Sequence, residues 1–156
     1  MRRLLPLFML LICCGALALE RPQGRPRPAA RADAPVRFEA VDIWIDAGSD
    51  PLTAWQVAVR YDATRVQVIG VEGGEPQAFR AAPFYDPAGM EQGRIILAAF
   101  TADHAAAPAG LVRVGRLHLR VQGRPPHGCK SELVTAGTVR GQRIIAFVDL
   151  AEARPQ

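Results

Sequence analysis

A hydrolytic nucleophile needs a general base within hydrogen-bond reach, and beyond residue 33 the chain offers Ser49 and Ser131 with His104, His118 and His127. Neither serine sits in a Gly-x-Ser-x-Gly elbow, and Ser49 lies in the turn sequence Gly48-Ser49-Asp50-Pro51. His118 falls between Leu117 and Leu119, so a strand there points it away from their side. His127-Gly128-Cys129 holds two metal-ligating side chains, short of the three or four that a zinc site uses. Asp42, Asp46 and Asp50 could offer oxygens to calcium, but without the density or closing glutamate of an EF-hand loop; aspartates at a turn also bond their own backbone. Gly73-Gly74 is followed by Glu75 and Pro76, not by the Lys and helix of a phosphate loop. No carboxylate pair is placed for glycoside hydrolysis. The expectation is a non-enzyme with no cofactor, calcium being the open alternative.

Binding has more material. If Val41, Ile43 and Ile45 point inward, Asp42, Trp44 and Asp46 point outward, and a tryptophan beside carboxylates suits a sugar ring or a protein anchor. Phe79, Arg80, Phe84 and Tyr85 lie in one stretch without periodicity. Loops on rigid scaffolds carry function, while aromatics in long loops also pin them to the core. Trp44, Phe79, Arg80, Phe84 and Tyr85 are therefore the candidate ligand-binding residues.

The elements that must position them read as strands. Val36 and Phe38 alternate with Arg37 and Glu39, and the apolar phase then shifts by one to Val41, Ile43 and Ile45, which predicts a β-bulge near Ala40. Trp55, Val57, Val59 and Tyr61 alternate with Gln56, Ala58 and Arg60, placing Trp55 in the core. Val66 and Val68 open a third strand that stops at Gly73-Gly74. Residues 75–93, broken by Pro76, Pro83, Pro87 and Gly89, form a long loop of the kind that is often functional. Residues 94–101 are almost continuously apolar, which predicts a strand buried on both faces. A long strand follows from Val112 to Val121, with a phase slip at Gly115 and with Arg113, Arg116 and Arg120 keeping one face wet; Leu133 and the run 144–150 close the pattern. Some seven short strands without an amphipathic helix predict an all-β, two-sheet sandwich of jelly-roll or immunoglobulin type.

The domain occupies residues 36–150, ahead of a short tail, 151–156. Arg2 and Arg3, an apolar run from Leu4 to about Leu19, and Ala16-Leu17-Ala18 make a signal-peptide pattern over residues 1–18. An uncleaved anchor and lipidation at Cys14 are the alternatives, and they are also the only routes to membrane contact. All three export the body to the bacterial periplasm, envelope or exterior. Residues 19–35 are a Pro- and Arg-rich linker. Of the formal charge of +4, all resides before residue 34, leaving residues 34–156 neutral, which gives the folded body no pull on nucleic acid. Of the three cysteines, Cys13 and Cys14 lie in the apolar leader. Cys129 is left without an internal disulfide partner, either as a small core residue or as a reactive thiol beside Lys130.

Residues 54–62, Ala-Trp-Gln-Val-Ala-Val-Arg-Tyr-Asp, followed by Val66-Gln67-Val68-Ile69-Gly70-Val71-Glu72-Gly73-Gly74, resemble the cohesin domain family, with Ala63 where Tyr-Asp-Pro has its proline. Gly93-Arg94-Ile95-Ile96, Gly110 and residues 114–121 resemble its return strands. The resemblance covers roughly Val36 to Leu150 and departs in the opening strand and in the Pro-rich aromatic loop. It implies a jelly-roll-like sandwich related to carbohydrate-binding modules, with a non-catalytic role in recognising a protein or polysaccharide. No residue here matches a motif that would assign dockerin contacts. An envelope assembly subunit that pairs through a sheet edge and an accessory carbohydrate-binding domain of a polysaccharide-degrading system are the alternative readings.

Overall fold

The computed structural model describes residues 34–123 and 128–153; the leader, most of the linker and His127 lie outside them. Eight strands form: β1 (Val36–Asp46), β2 (Ala54–Arg60), β3 (Val66–Gly73), β4 (Phe84–Tyr85), β5 (Arg94–Phe100), β6 (Leu111–Gln122), β7 (Lys130–Gly137) and β8 (Phe147–Glu152). They build two four-stranded antiparallel sheets, β3-β6-β1-β8 and β4-β5-β2-β7. The sheets face each other across one core, to which Val41, Ile43, Leu117 and Leu119 contribute from the first and Trp55, Val57, Ile95 and Leu97 from the second. This is the expected all-β sandwich, its inner faces supplied by period-2 alternation. The last strand reaches Glu152, two residues into the segment read as a tail.

Three details differ from the sequence reading, each for a physical reason. No bulge occurs at Ala40. β1 alternates without interruption, so Val36 and Phe38 are the exposed side chains, while Arg37 and Glu39 lie on the core side and form an ion pair with each other. The Arg37 guanidinium also donates to the Gly123 carbonyl, tying the start of β1 to the residue that follows β6. The irregularity lies instead where β1 meets β6: Ile43 pairs with Gly115 and Trp44 with Arg113, so Val114 is the extra residue. That agrees with the phase slip read at Gly115.

β5 is not buried on both faces. Ile95 and Leu97 are fully buried, but Ile96 and Ala98 are half-buried and Phe100 is exposed. The run is apolar because its outer face is itself an apolar surface.

The stretch 75–93 is more ordered than its prolines imply. It contains a 3-10 turn at Gln77–Phe79, the two-residue β4, and a one-turn helix α1 (Pro87–Met90) whose N-terminus Asp86 caps by accepting from the Ala88 N–H at 2.9 Å. Tyr61 Oη donates to the Met90 carbonyl at 2.6 Å, tying α1 to the end of β2. The loop can fold this closely because Gly73 and Gly74 lack side chains: a Cβ on Gly73 would overlap the Arg80 carbonyl, and one on Gly74 the Arg113 carbonyl.

Candidate binding site

Phe79 is the anchor of the loop. Its ring is 2% exposed and sets an edge against Trp55, with centroids 6.2 Å apart and planes at 79°. Backbone bonds from Gly74 N–H to the Phe79 carbonyl (2.6 Å) and from Phe79 N–H to the Pro76 carbonyl (2.9 Å) hold the turn. Phe79 therefore leaves the set of surface contacts, because its hydrophobic area is spent inside the core.

What it positions is Phe84. That residue pairs with Ala98 in β5, and its ring stacks on Phe100 at 6.3 Å with planes 11° apart. Both rings point away from the core; Phe84 is 70% exposed and Phe100 67%. Tyr85, paired with the core residue Leu97, is exposed on the opposite side of β4 from Phe84, and Arg80 is exposed on the approach to β4.

The strand registers define the surface around the rings. Phe84, Ala98, Gln56 and Thr135 form one row across β4, β5, β2 and β7, and Phe100 stands beside Ala54 and Gly137. The next row is Ile96, Ala58 and Glu132, and the last is Arg94, Arg60 and Lys130. Side chains are short at Ala54, Ala58 and Ala98, Ala58 being fully covered by its neighbours, and the face carries aromatics at one end and cations at the other. Arg60 reaches Glu132 at 3.5 Å. Phe100 was absent from the sequence-derived set; its signal was the outward parity of an aromatic in β5, hidden by reading that strand as buried on both faces.

Trp44 lies elsewhere. Between the buried Ile43 and Ile45 it points out of the β3-β6-β1-β8 sheet, on the opposite side of the molecule from Phe84. Trp44 and the loop aromatics thus form two surfaces and not one. Trp44 is half-buried, with Arg113 and Asp149 as its cross-strand neighbours.

Beside Trp44 a ladder of charges crosses three strands. Asp42, 6% exposed, accepts from Arg116 Nε at 2.6 Å and from Arg116 Nη2 at 3.2 Å, with Arg113 Nη1 at 3.8 Å. Arg113 Nε also donates to Glu75 at 3.0 Å, and Glu72 lies 3.9 Å from Arg116 and 3.1 Å from His118 Nε2. The bonded Asp42 carboxylate raises the Arg116 pKa, against the opposing effect of burial. Asp42→Asn leaves two guanidiniums facing a neutral amide, and chemical denaturation is expected to show a loss of about 1–3 kcal/mol. Full retention of stability would mean the ladder is only a solvated charge pattern.

Two further carboxylates are engaged in turns. Asp46 accepts from Gly48 N–H at 3.0 Å as a turn cap. Asp62 accepts from the Thr64 hydroxyl at 2.7 Å and its N–H at 2.9 Å, bonds that hold its carboxyl below the usual range. Among the described residues no group of three His, Cys, Asp or Glu could hold a metal ion, and no helix is long and apolar enough to cross a membrane.

Cys129 is half-buried against the core, and burial, with Glu39 adding, pushes its thiol up to about 11. The raised value means that the stability contributed by the neutral thiol is complete below the ordinary value of 9.0 and is lost as pH rises to about 11. Alkylation by iodoacetamide at pH 8 is expected to be slower than in urea-unfolded protein, with the gap closing towards pH 11; equal rates at pH 8 would contradict the burial.

No family model matches the chain, and no curated protein sequence matches it. Among solved structures the chain is similar to the seventh ScaB type I cohesin from Pseudobacteroides cellulosolvens, with 13% identity, 69% of this chain and 73% of that chain covered, and a TM-score of 0.49.

Proposed function

We propose that this chain is an exported, non-catalytic recognition module that docks a protein partner on the outer face of the β4-β5-β2-β7 sheet. The observation that carries the reading is the stacked, solvent-exposed Phe84–Phe100 pair on the outer face of β4 and β5. Two large apolar rings held open to water cost hydration free energy that docking recovers, and aromatics of this kind are the usual anchors of protein interfaces. Arg94 and Lys130 at the far end of the face favour a partner with an apolar centre and acidic groups to one side. Export rests on the Arg2-Arg3, apolar and Ala-Leu-Ala pattern of residues 1–18, which places the module in the periplasm, envelope or exterior of a bacterium.

A polysaccharide ligand is the second reading, and it belongs to the other face. Trp44, half-buried with Asp149 beside it in register, offers a ring to stack on a sugar and a carboxylate to accept from its hydroxyls, while Arg113 on the other side is buried in the charge ladder. The two readings separate by mutation: Phe84→Ser with Phe100→Ser removes the first surface and leaves Trp44 untouched, while Trp44→Ala does the converse. Protein retention lost only in the phenylalanine variant supports docking on the aromatic face; glycan retention lost only in Trp44→Ala supports a carbohydrate module.

A further inference from the structure

The β8 edge, next to Trp44 through Asp149, carries an inference separate from the Phe84–Phe100 surface. β8 is the outermost strand of its sheet and pairs with β1 in continuous register from Val41–Glu152 to Asp46–Phe147, without a bulge to blunt it. The Ala153 N–H donates to the Ala40 carbonyl at 2.9 Å. Antiparallel alternation then fixes which groups face β1: those of residues 147, 149, 151 and 153 do, and those of Val148, Leu150 and Glu152 point to the free edge. Leu150 N–H, in the middle of that edge, donates to its neighbour Asp149 Oδ1 at 2.8 Å. The Asp149 side chain thus occupies the central donor that an incoming strand would need.

The edge is otherwise suited to a second copy of the same chain. Antiparallel pairing about a twofold axis at Leu150 places Leu150 opposite itself, Val148 opposite Glu152 and Asp149 opposite Ala151, with no like charges directly opposed. Val148 and Leu150 are only partly buried against the core, so a neighbouring strand would cover them further. Phe147, 75% exposed, and Ile145, 91% exposed, add apolar area at the start of the strand. In this register the Leu150 N–H donates to the Leu150 carbonyl of the other copy, and that N–H is the one Asp149 holds.

We propose that β8 is a self-pairing edge held shut by the Asp149 carboxylate, so that displacing it joins two copies into one continuous eight-stranded sheet. Free edges are commonly protected by charged side chains; here the protection is a hydrogen bond to one backbone donor. Asp149→Ala removes the acceptor and exposes the N–H. Asp149→Asn keeps an acceptor oxygen and removes the charge.

Sedimentation velocity of the purified protein over a concentration series tests this directly, with amide hydrogen exchange at Leu150 as a second readout. Asp149→Ala is expected to dimerise at least about tenfold more tightly than the wild type, the substitution freeing one backbone donor in each copy, with the Leu150 amide protected in the dimer. Asp149→Asn is expected to sediment as the wild type does. An Asp149→Ala chain that associates no more than the wild type, a dimer whose Leu150 amide exchanges freely, or equal dimerisation of the Ala and Asn variants would each overturn the proposal. The last would show that charge repulsion, not the hydrogen bond, keeps the edge apart.

Discussion

Phe79→Ala is expected to cost about 4 kcal/mol of folding stability, the range for removing a buried phenylalanine ring. A domain of this size holds only about 5–15 kcal/mol in total, so the variant should unfold at far lower denaturant. The size of the effect follows from where the ring sits: 2% exposed and edge-on to Trp55, it fills the core and fixes residues 75–93 at once. Phe79→Leu keeps most of the volume and is expected to lose less than half as much. Urea titration followed by tryptophan fluorescence measures both, since Trp55 reports the site. A loss below about 1 kcal/mol for the alanine variant would mean that the loop is held by other contacts.

Replacing Phe84 and Phe100 together by serine should do the reverse. Both rings are exposed, so stability is expected to change by about 1 kcal/mol or less, the value of a stacked pair. Partner binding should fall by about a hundredfold or more, because central aromatic anchors contribute about 2 kcal/mol or more each and every 1.4 kcal/mol is tenfold. Opposite responses at Phe79 and Phe84 would separate the residue that builds the surface from the residue that uses it. The pair also explains the apolar outer face of β5, which has no structural need for Phe100.

The contrast shows what alternation in a single strand can and cannot reveal. Trp55, Val57 and Val59 were legible as core because they alternate with Gln56, Ala58 and Arg60, and Trp44 was legible as outward between Ile43 and Ile45. Beyond Arg94, β5 has no polar residue to mark its outer face, so its pattern reads as burial on both sides and hides the exposure of Phe100. At Val36 and Phe38 the apolar phase misled, because the Arg37–Glu39 pair takes the core side. Pairing between distant strands was beyond reach of local pattern: only the registers put Phe84 beside Ala98 and Trp44 on the opposite sheet. The aromatic loop likewise looked like one unit, yet its first phenylalanine is core and its second is surface.

The most direct test is to immobilise the purified wild-type protein, the Phe84→Ser/Phe100→Ser variant and the Trp44→Ala variant, and to measure retention of envelope and secreted proteins from the same organism beside a panel of polysaccharides. Docking on the β4-β5-β2-β7 face predicts a protein retained by the wild type and by Trp44→Ala but lost from the phenylalanine variant, which remains folded by circular dichroism. Equal retention by the wild type and the phenylalanine variant, or binding abolished by Trp44→Ala alone, would contradict it.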